Sequence, residues 1–359
     1  MKALLYSKAL ILAMLAATVL AGTVVPTYAD NDQDCHPLAL PVALGAGLPV
    51  TDEISGMLCL PDNRFEHGMH VVDVMVHGGT YTRTYFDWPL QPELYSYVRR
   101  TLNAGRATFI YDRLGTGQST RPVSTSVTME TDAYSLHQVI QHLLSPHGMR
   151  RVNVVGHSFG AMIAIEEAAL YHDADRLVVT GVLHAAGGPG QANSAVDFYP
   201  ANLDPQFTRL GYDSGWLTTL PGTRSSLFYY AKTADPAVIA YDEAHKSVVS
   251  ATQLVEGLGQ TFSTPAGTNL SNQITAPVLV VNGQFDLFSC EGPHLDCNNP
   301  AAVQAFEAPF YTSSPSLTTV MVPNTGHDLV LHTTTAISFE IINGWLNTPL
   351  PFAFVPPPE

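Results

Sequence analysis

The stretch from Val152 to Ala164 reads VNVVGHSFGAMIA, and its reading decides the fold. Val152, Val154 and Val155 are β-branched and free of charge, as a short buried strand requires. Gly156-His157-Ser158-Phe159-Gly160 follows at once, and the helix-forming run from Ala161 to Leu170 comes next. Strand, G-x-S-x-G, helix is the pattern of a nucleophile elbow. Its turn is so tight that a side chain at Gly156 or Gly160 would collide with the neighbouring strand or helix. The serine between them is forced into a strained backbone conformation that exposes its Oγ. The helix behind it aims its amide N–H groups and positive dipole end at the same spot, where negative charge is favoured.

Working outward, strands and helices alternate on both sides. His70–Val76 predicts a strand that runs into His77-Gly78-Gly79-Thr80. A glycine pair at a strand end lets backbone approach a ligand closely. Beside an elbow, the Gly79 amide (with Thr80 as the alternative) and the Phe159 amide are the expected oxyanion donors. The aromatic loop Tyr81–Pro89 is equally suited to core or to site wall. Glu93–Leu102 predicts a helix stopped by Asn103-Ala104-Gly105, and Ala107–Tyr111 a strand. Asp112, in the turn after it, is read as structural. Met129–Leu144 is helical, and Leu177–Leu183 is a strand ending at His184, a structural histidine.

From Gly188 to about Thr275 the alternation lapses into an aromatic, proline-punctuated stretch, with helical periodicity over Pro236–Leu258. An insertion of this kind between two sheet strands reads as a cap. Pro277–Val281 and Leu317–Val322 resume the sheet, and Thr335–Leu346 is the closing helix. The expected organisation is a leader over 1–29, a core over 30–187 and 276–347, a cap over 188–275, and a proline-rich tail over 348–359. The fold class is α/β, a mostly parallel sheet with helices on both faces.

In such a sheet the loops leaving the carboxyl ends of the strands meet on one edge. Ser158, Asp286 and His327 each lie just past a predicted strand, in the chain order Ser, Asp, His. An alcohol is a poor nucleophile until a neutral imidazole takes its proton, which assigns the base to His327. Asp286 then orients that imidazole through Nδ1 and steadies its charged form. His332 and Asp328 are weaker rivals, Asp328 because it follows His327 too closely to face it.

Composition narrows the function. The chain has 359 residues and a hydrophobic content of 46%, enough for a large packed core. A net charge of −15 argues against nucleic acid and anionic membranes as partners. Lys2 and Lys8, the apolar run Ala9–Ala21 and the small-x-small site Thr27-Tyr28-Ala29 have the form of a secretory signal peptide, cleaved near Ala29. That run is shorter than the roughly 20 residues a bilayer span needs, although an uncleaved anchor is the alternative. The expected product is an exported protein without stable membrane insertion.

Cys35, Cys59, Cys290 and Cys297 are an even set, which in an exported chain suggests two disulfides. Local order favours Cys35 with Cys59 and Cys290 with Cys297, and the other two connectivities stay open. The 290–297 loop, with His294 and Asp296, has an alternative reading as a metal site; the default is a disulfide and no metal. Asn269-Leu270-Ser271 is a lone glycosylation sequon.

Taken together, HGG (77–79), DRLGTGQS (112–119), GHSFG (156–160), NGQFD (282–286) and NTGHD (324–328) resemble the α/β-hydrolase superfamily over Ile54–Leu346. The resemblance implies that fold with a helical cap and a cofactor-free serine hydrolase. Its members include carboxylesterases, lipases, lactonases, proline iminopeptidases, C–C bond hydrolases and haloperoxidases. Serine at 158, where haloalkane dehalogenases and epoxide hydrolases have aspartate, points away from those two branches. The expectation is a secreted esterase acting on a hydrophobic small-molecule ester. A lactonase or C–C hydrolase with the same triad is the alternative, and a catalytically silent binding protein on this fold is the reading from a different class.

Overall fold

The valine run before Gly156 sits in the middle of an eight-stranded sheet. The computed structural model describes residues 34–62, 70–145, 147–290 and 295–349. The expected leader (1–29), His294 and nearly all of the proline-rich tail lie outside the described residues.

The strands of the large sheet are β1 (Asp34–Ala43), β2 (Val50–Leu60), β3 (Val71–Val76), β4 (Ala107–Tyr111), β5 (Arg151–His157) and β6 (Arg176–Thr180). After an insertion carrying β7 (Phe198–Pro200), β8 (Trp216–Thr219) and β9 (Val249–Ser250), the sheet resumes with β10 (Val278–Gly283) and β11 (Leu317–Val322). Their order is β1-β2-β4-β3-β5-β6-β10-β11. β1 with β2 and β2 with β4 pair antiparallel, and every later pairing is parallel. β1 carries Pro37 and Pro41, which cost little there because it is an edge strand bonded on one side only.

Alternation along the central strands divides their side chains between two cores. Val72, Val74, Val76, Val152 and Val154 face the helices Met129–Leu144 and Phe159–Leu170. Met75, Val155, Val178 and Leu279 face the helices Tyr97–Asn103 and Thr335–Leu346. The one charge in the β3 run, Asp73, is fully buried and paired: Arg106 Nε donates to both its oxygens at 3.1 and 3.0 Å, and Asn153 Nδ2 donates at 2.7 Å.

Several elements differ from expectation for local reasons. The single helix expected over 93–102 is broken, because Ser96 is extended and its Oγ accepts from Arg99 N while donating to Asp87 at 2.6 Å. A serine offered backbone and carboxylate partners of this kind prefers a cap to a helix interior. The strand expected to reach Leu183 stops at Thr180, where Gly181 turns the chain at φ +69°. The helical periodicity over 236–258 is two helices, Pro236–Ala244 and Ala251–Phe262, with β9 between them.

Both disulfides form as local order suggested, Cys35–Cys59 and Cys290–Cys297. The metal reading of the 290–297 loop is thereby corrected, since its two thiols are consumed by the bond. Nor is the sequon open to modification in the fold: Asn269 is buried, its amide donates to Gln260 O, and its Oδ1 accepts from Ser271. Among the described residues no helix is long and apolar enough to cross a membrane.

Candidate active site

β5 delivers Ser158 to the carboxyl edge of the sheet, as the elbow pattern requires. Ser158 has φ +52° and ψ −123°, a conformation that a side chain adopts only under strain. It is held by its N–H donating to Thr180 O at 2.7 Å and by its carbonyl accepting from Ala161 and Met162. The need for glycine on either side is geometric. A Cβ on Gly160 would lie 2.2 Å from Val76 O, and one on Gly156 would lie 2.5 Å from Ala161 Cα.

The structure brings together the three residues singled out by spacing. His327 Nε2 is 2.7 Å from Ser158 Oγ, and His327 Nδ1 is 3.0 Å from Asp286 Oδ2. A carboxylate can only accept, so Nδ1 carries the ring proton and Nε2 presents its lone pair to the serine hydroxyl. The other Asp286 oxygen accepts from Phe288 N at 2.9 Å, which fixes the carboxylate. Asp286 is fully buried and His327 nearly so, with Phe288 and Phe228 packed against the imidazole. Burial alone would lower the His327 pKa, but the Asp286 charge and hydrogen bond outweigh it, and the ring is held above its ordinary value.

The glycine turn after β3 also reaches the serine. Gly79 and Phe159 both line the cavity onto which Ser158 opens. Thr80, the alternative donor, is instead a fixed point of the turn, with φ +62°. Its hydroxyl accepts from Arg224 Nη1 at 2.8 Å and its carbonyl from Ser247 N at 2.7 Å. Arg113 supports the same turn by donating to Gly78 O at 3.3 Å while pairing with Asp132 at 2.8 Å. Asp112 has the structural role expected, accepting from Arg83 N and Gln118 N.

The cavity is lined by Met162, Phe198, Phe228, Leu254, Leu258, Phe262 and Phe288 around the Ser158–His327 pair, with a volume of about 520 Å³ including its mouth. Five of those residues come from the insertion between β6 and β10. No lysine or arginine is among the lining residues. The aromatic loop after Gly79 is core and not wall: Tyr81, Tyr85, Phe86 and Trp88 are all buried. Of the insertion's other aromatics, Phe207, Tyr212 and Trp216 pack on one another.

A second layer behind His327 escaped the sequence reading. Asp328 does turn away from His327, as expected, and faces His157 Nε2 at 3.3 Å and the Tyr81 hydroxyl at 2.5 Å. Thr180 Oγ1 lies 3.1 Å from His157 Nδ1 and donates to Gly156 O at 3.0 Å. Burial, then the neighbouring His327, lowers the His157 pKa well below its ordinary value. Burial keeps the Asp328 carboxyl above the usual range. Asp286, not Asp328, is the carboxylate hydrogen-bonded to His327. From Asp328 the chain of bonds continues through Tyr81 to Asp242, which pairs with the buried Arg224 at 2.8 Å. The only sequence signal for this network was the clustering of ionisable residues in otherwise apolar stretches.

Two histidine–carboxylate groups place their ligand-type atoms within 4.8 Å of one another among the described residues, His157/His327/Asp328 and His137/Glu167/Asp173. In the first, both His327 nitrogens are engaged by Ser158 and Asp286, so the ring has no lone pair free for an ion. His184 is structural, with Nδ1 2.8 Å from Glu307 and its ring stacked on Phe310.

Residues 74–337 match the model of the alpha/beta hydrolase family, and the chain belongs to that family. A comparison with curated protein sequences finds no match. Among solved structures, the chain resembles an esterase from Thermogutta terrifontis (19% identity, 87% of this chain and 98% of that one, TM-score 0.54). It also resembles the 2-hydroxy-6-oxo-6-phenylhexa-2,4-dienoate hydrolase of Rhodococcus sp. RHA1 (15%, 88% and 99%, 0.54) and the enol-lactonase of Burkholderia xenovorans (15%, 86% and 100%, 0.58). At these identities the likeness concerns the fold.

Proposed function

We propose that the chain is an exported serine hydrolase cleaving a carboxylic ester whose acyl group is hydrophobic and uncharged. The observation that carries this reading is the continuous contact from the Ser158 hydroxyl through His327 to Asp286 at one end of an apolar cavity. Ser158 Oγ attacks the acyl carbonyl while His327 Nε2 takes its proton. The amides of Gly79 and Phe159, with the helix N-terminus behind Phe159, stabilise the oxyanion. His327 then gives the proton to the departing alkoxide, and the acyl-enzyme remains. Water, deprotonated by the same imidazole, releases the acid and restores the serine. Each step uses only these side chains, the two backbone amides and water.

The lining favours an ester over a C–C hydrolase substrate. The dienoate in the name of the Rhodococcus enzyme carries a carboxylate, and a carboxylate entering this cavity would find no lysine or arginine to offset its desolvation. Export is supported by the leader-like N-terminus and the two disulfides.

The test is hydrolysis of p-nitrophenyl esters from acetate to octanoate by the parent protein and Ser158→Ala, with fluorophosphonate labelling alongside. Turnover and labelling in the parent, both lost in the variant, are expected. Labelling without turnover would move the reading to a specialised lactone or C–C bond, and folded protein giving neither would leave a binding protein.

A further inference from the structure

At the far end of the helix that begins beside Ser158 lies a second cluster of ionisable groups. Glu167 has 0% exposure, and no N–H or hydroxyl donor among the described residues reaches either of its carboxylate oxygens, which face the carboxyl of Asp173. Asp173 Oδ1 is also buried without such a donor, while Oδ2 accepts from Gln141 Nε2 at 2.9 Å and lies 2.7 Å from His137 Nδ1. The ligand-type atoms of His137, Glu167 and Asp173 lie within 4.8 Å of one another. The imidazole therefore answers one carboxylate and leaves the more deeply buried one facing only Asp173, and burial with that second carboxylate pushes the Glu167 carboxyl up. Two carboxyl groups facing each other inside a protein are costly enough that they take up a proton or a metal.

The geometry points to a divalent-cation site formed by His137, Glu167 and Asp173, of the zinc class. One imidazole nitrogen and two carboxylate oxygens, with a water as fourth ligand, make a tetrahedral set suited to zinc. Calcium, which takes 6–8 oxygen ligands, has too few here. Tyr171 stacks on the His137 ring at 4.2 Å and 19°, holding its plane. The side chains of His137 and Asp173 are 25% and 14% exposed, so an ion can enter from solvent. Glu167 is in the last turn of the helix Phe159–Leu170, where the macrodipole favours positive charge.

The three ligands come from separate elements: the helix Met129–Leu144, the end of the elbow helix, and the turn leading into β6. An ion there would tie these together about 13 Å along the helix axis from Ser158. Its effect is on stability and not on the chemical step, so it stands or falls independently of the proposed esterase activity.

The full chain is stripped with a chelator and titrated with Zn²⁺ alone by calorimetry, with Tm followed in parallel and Ca²⁺ and Mg²⁺ as controls. One saturable Zn²⁺ per chain and a Tm rise of several degrees are expected, both lost in Glu167→Gln and in His137→Ala. Near-UV circular dichroism of the stripped variants establishes that they are folded. The inference is overturned if the parent binds no Zn²⁺ saturably, or if both folded variants bind it as the parent does. It is equally overturned if Glu167→Gln raises Tm at alkaline pH in a protein whose Tm ignores Zn²⁺. That result would mean that Glu167 and Asp173 share a proton instead of an ion.

Discussion

Asp286 and Asp328 are both fully buried carboxyl groups close to His327, yet the same Asp-to-Asn change should affect them oppositely. At Asp286 the amide can donate from nitrogen to His327 Nδ1, which is 3.0 Å from the present carboxylate oxygen. The imidazole proton then moves to Nε2, where it faces the Ser158 hydroxyl instead of accepting from it. Wrong-tautomer substitution in a Ser-His-Asp system costs about 10⁴-fold in kcat, equivalent to about 5.4 kcal/mol at 1.36 kcal/mol per decade. At Asp328 the carboxyl contacts His157 Nε2 and accepts from the Tyr81 hydroxyl, and it is not the group hydrogen-bonded to His327. An asparagine amide reproduces both bonds, so kcat should stay within about tenfold, the larger cost being up to about 1.4 kcal/mol for altered packing. The pH profile adds a second readout. His327 is held above its ordinary value by Asp286 against the pull of burial, so the acid limb of kcat/KM in the parent should lie above the histidine reference of about 6.5. Activity is lost as pH falls through that value because the base becomes protonated. In Asp286→Asn the main opposition to burial is gone and only the lesser pull of Asp328 remains, so the limb of the residual activity should move down; in Asp328→Asn it should move less. Steady-state hydrolysis of p-nitrophenyl butyrate from pH 5 to 9 reads both effects. Equal losses in the two variants, or a larger loss in Asp328→Asn, would refute the choice of Asp286 as the carboxylate that orients His327.

Met162 lines both the main cavity and a smaller one of about 270 Å³ beyond it, so Met162→Ala should join them and move the preferred p-nitrophenyl ester to longer acyl chains, read as the ratio of kcat/KM across the series. Asp73→Ala strands the buried Arg106 guanidinium and should lower unfolding free energy by about 3–5 kcal/mol, measured as a fall in the urea midpoint. Replacing Cys35 and Cys59 together by serine opens a crosslink spanning a sequence separation of 24, which loop-closure entropy values at about 3.5 kcal/mol. Urea unfolding of parent and double variant should show that difference in oxidising buffer and lose it in reducing buffer.

The elements that bring Ser158, Asp286 and His327 together were legible because each has a local cause. Val152–Val155 must be extended and buried, Gly156 and Gly160 are demanded by contacts closer than a Cβ allows, and Leu317–Val322 and Thr335–Leu346 fall where periodicity places them. Asp286 and His327 could be assigned because the fold brings strand ends to one edge whatever their distance along the chain. What stayed hidden depends on partners remote in sequence. Nothing near Ser96 announces that Asp87 will draw its hydroxyl out of a helix. Nothing in the insertion shows which aromatics turn inward, since Phe198 and Phe228 reach the cavity while Phe207 and Tyr212 pack on one another or on Trp216. The contacts of Asp328 are the extreme case, because they join it to His157 and Tyr81, 171 and 247 positions away.

That hidden network explains why an insertion is useful beyond covering the site. Arg224 is fully buried, and it grips two sides of the active centre at once. One nitrogen donates to Thr80 in the turn that carries the expected oxyanion donor, and another pairs with Asp242, itself bonded to Tyr81 and Tyr229. Tyr81 continues to Asp328, the residue after His327. The left-handed conformation of Thr80 costs on the order of 1–3 kcal/mol for a non-glycine residue, and the bonds from Arg224 and Ser247 offset it. Without the insertion Thr80 would lose its bonds from Arg224 and Ser247, and Asp328 would lose the link that ties it to Arg224. Five of the seven apolar residues that line the cavity and the Arg224 that braces the Thr80 turn thus belong to the same piece of chain. Arg224→Gln should accordingly lower kcat more than it raises KM, because it loses its bond to the turn while it meets the acyl wall at one ring only, Phe228. A change confined to KM would mean that the insertion only covers the pocket.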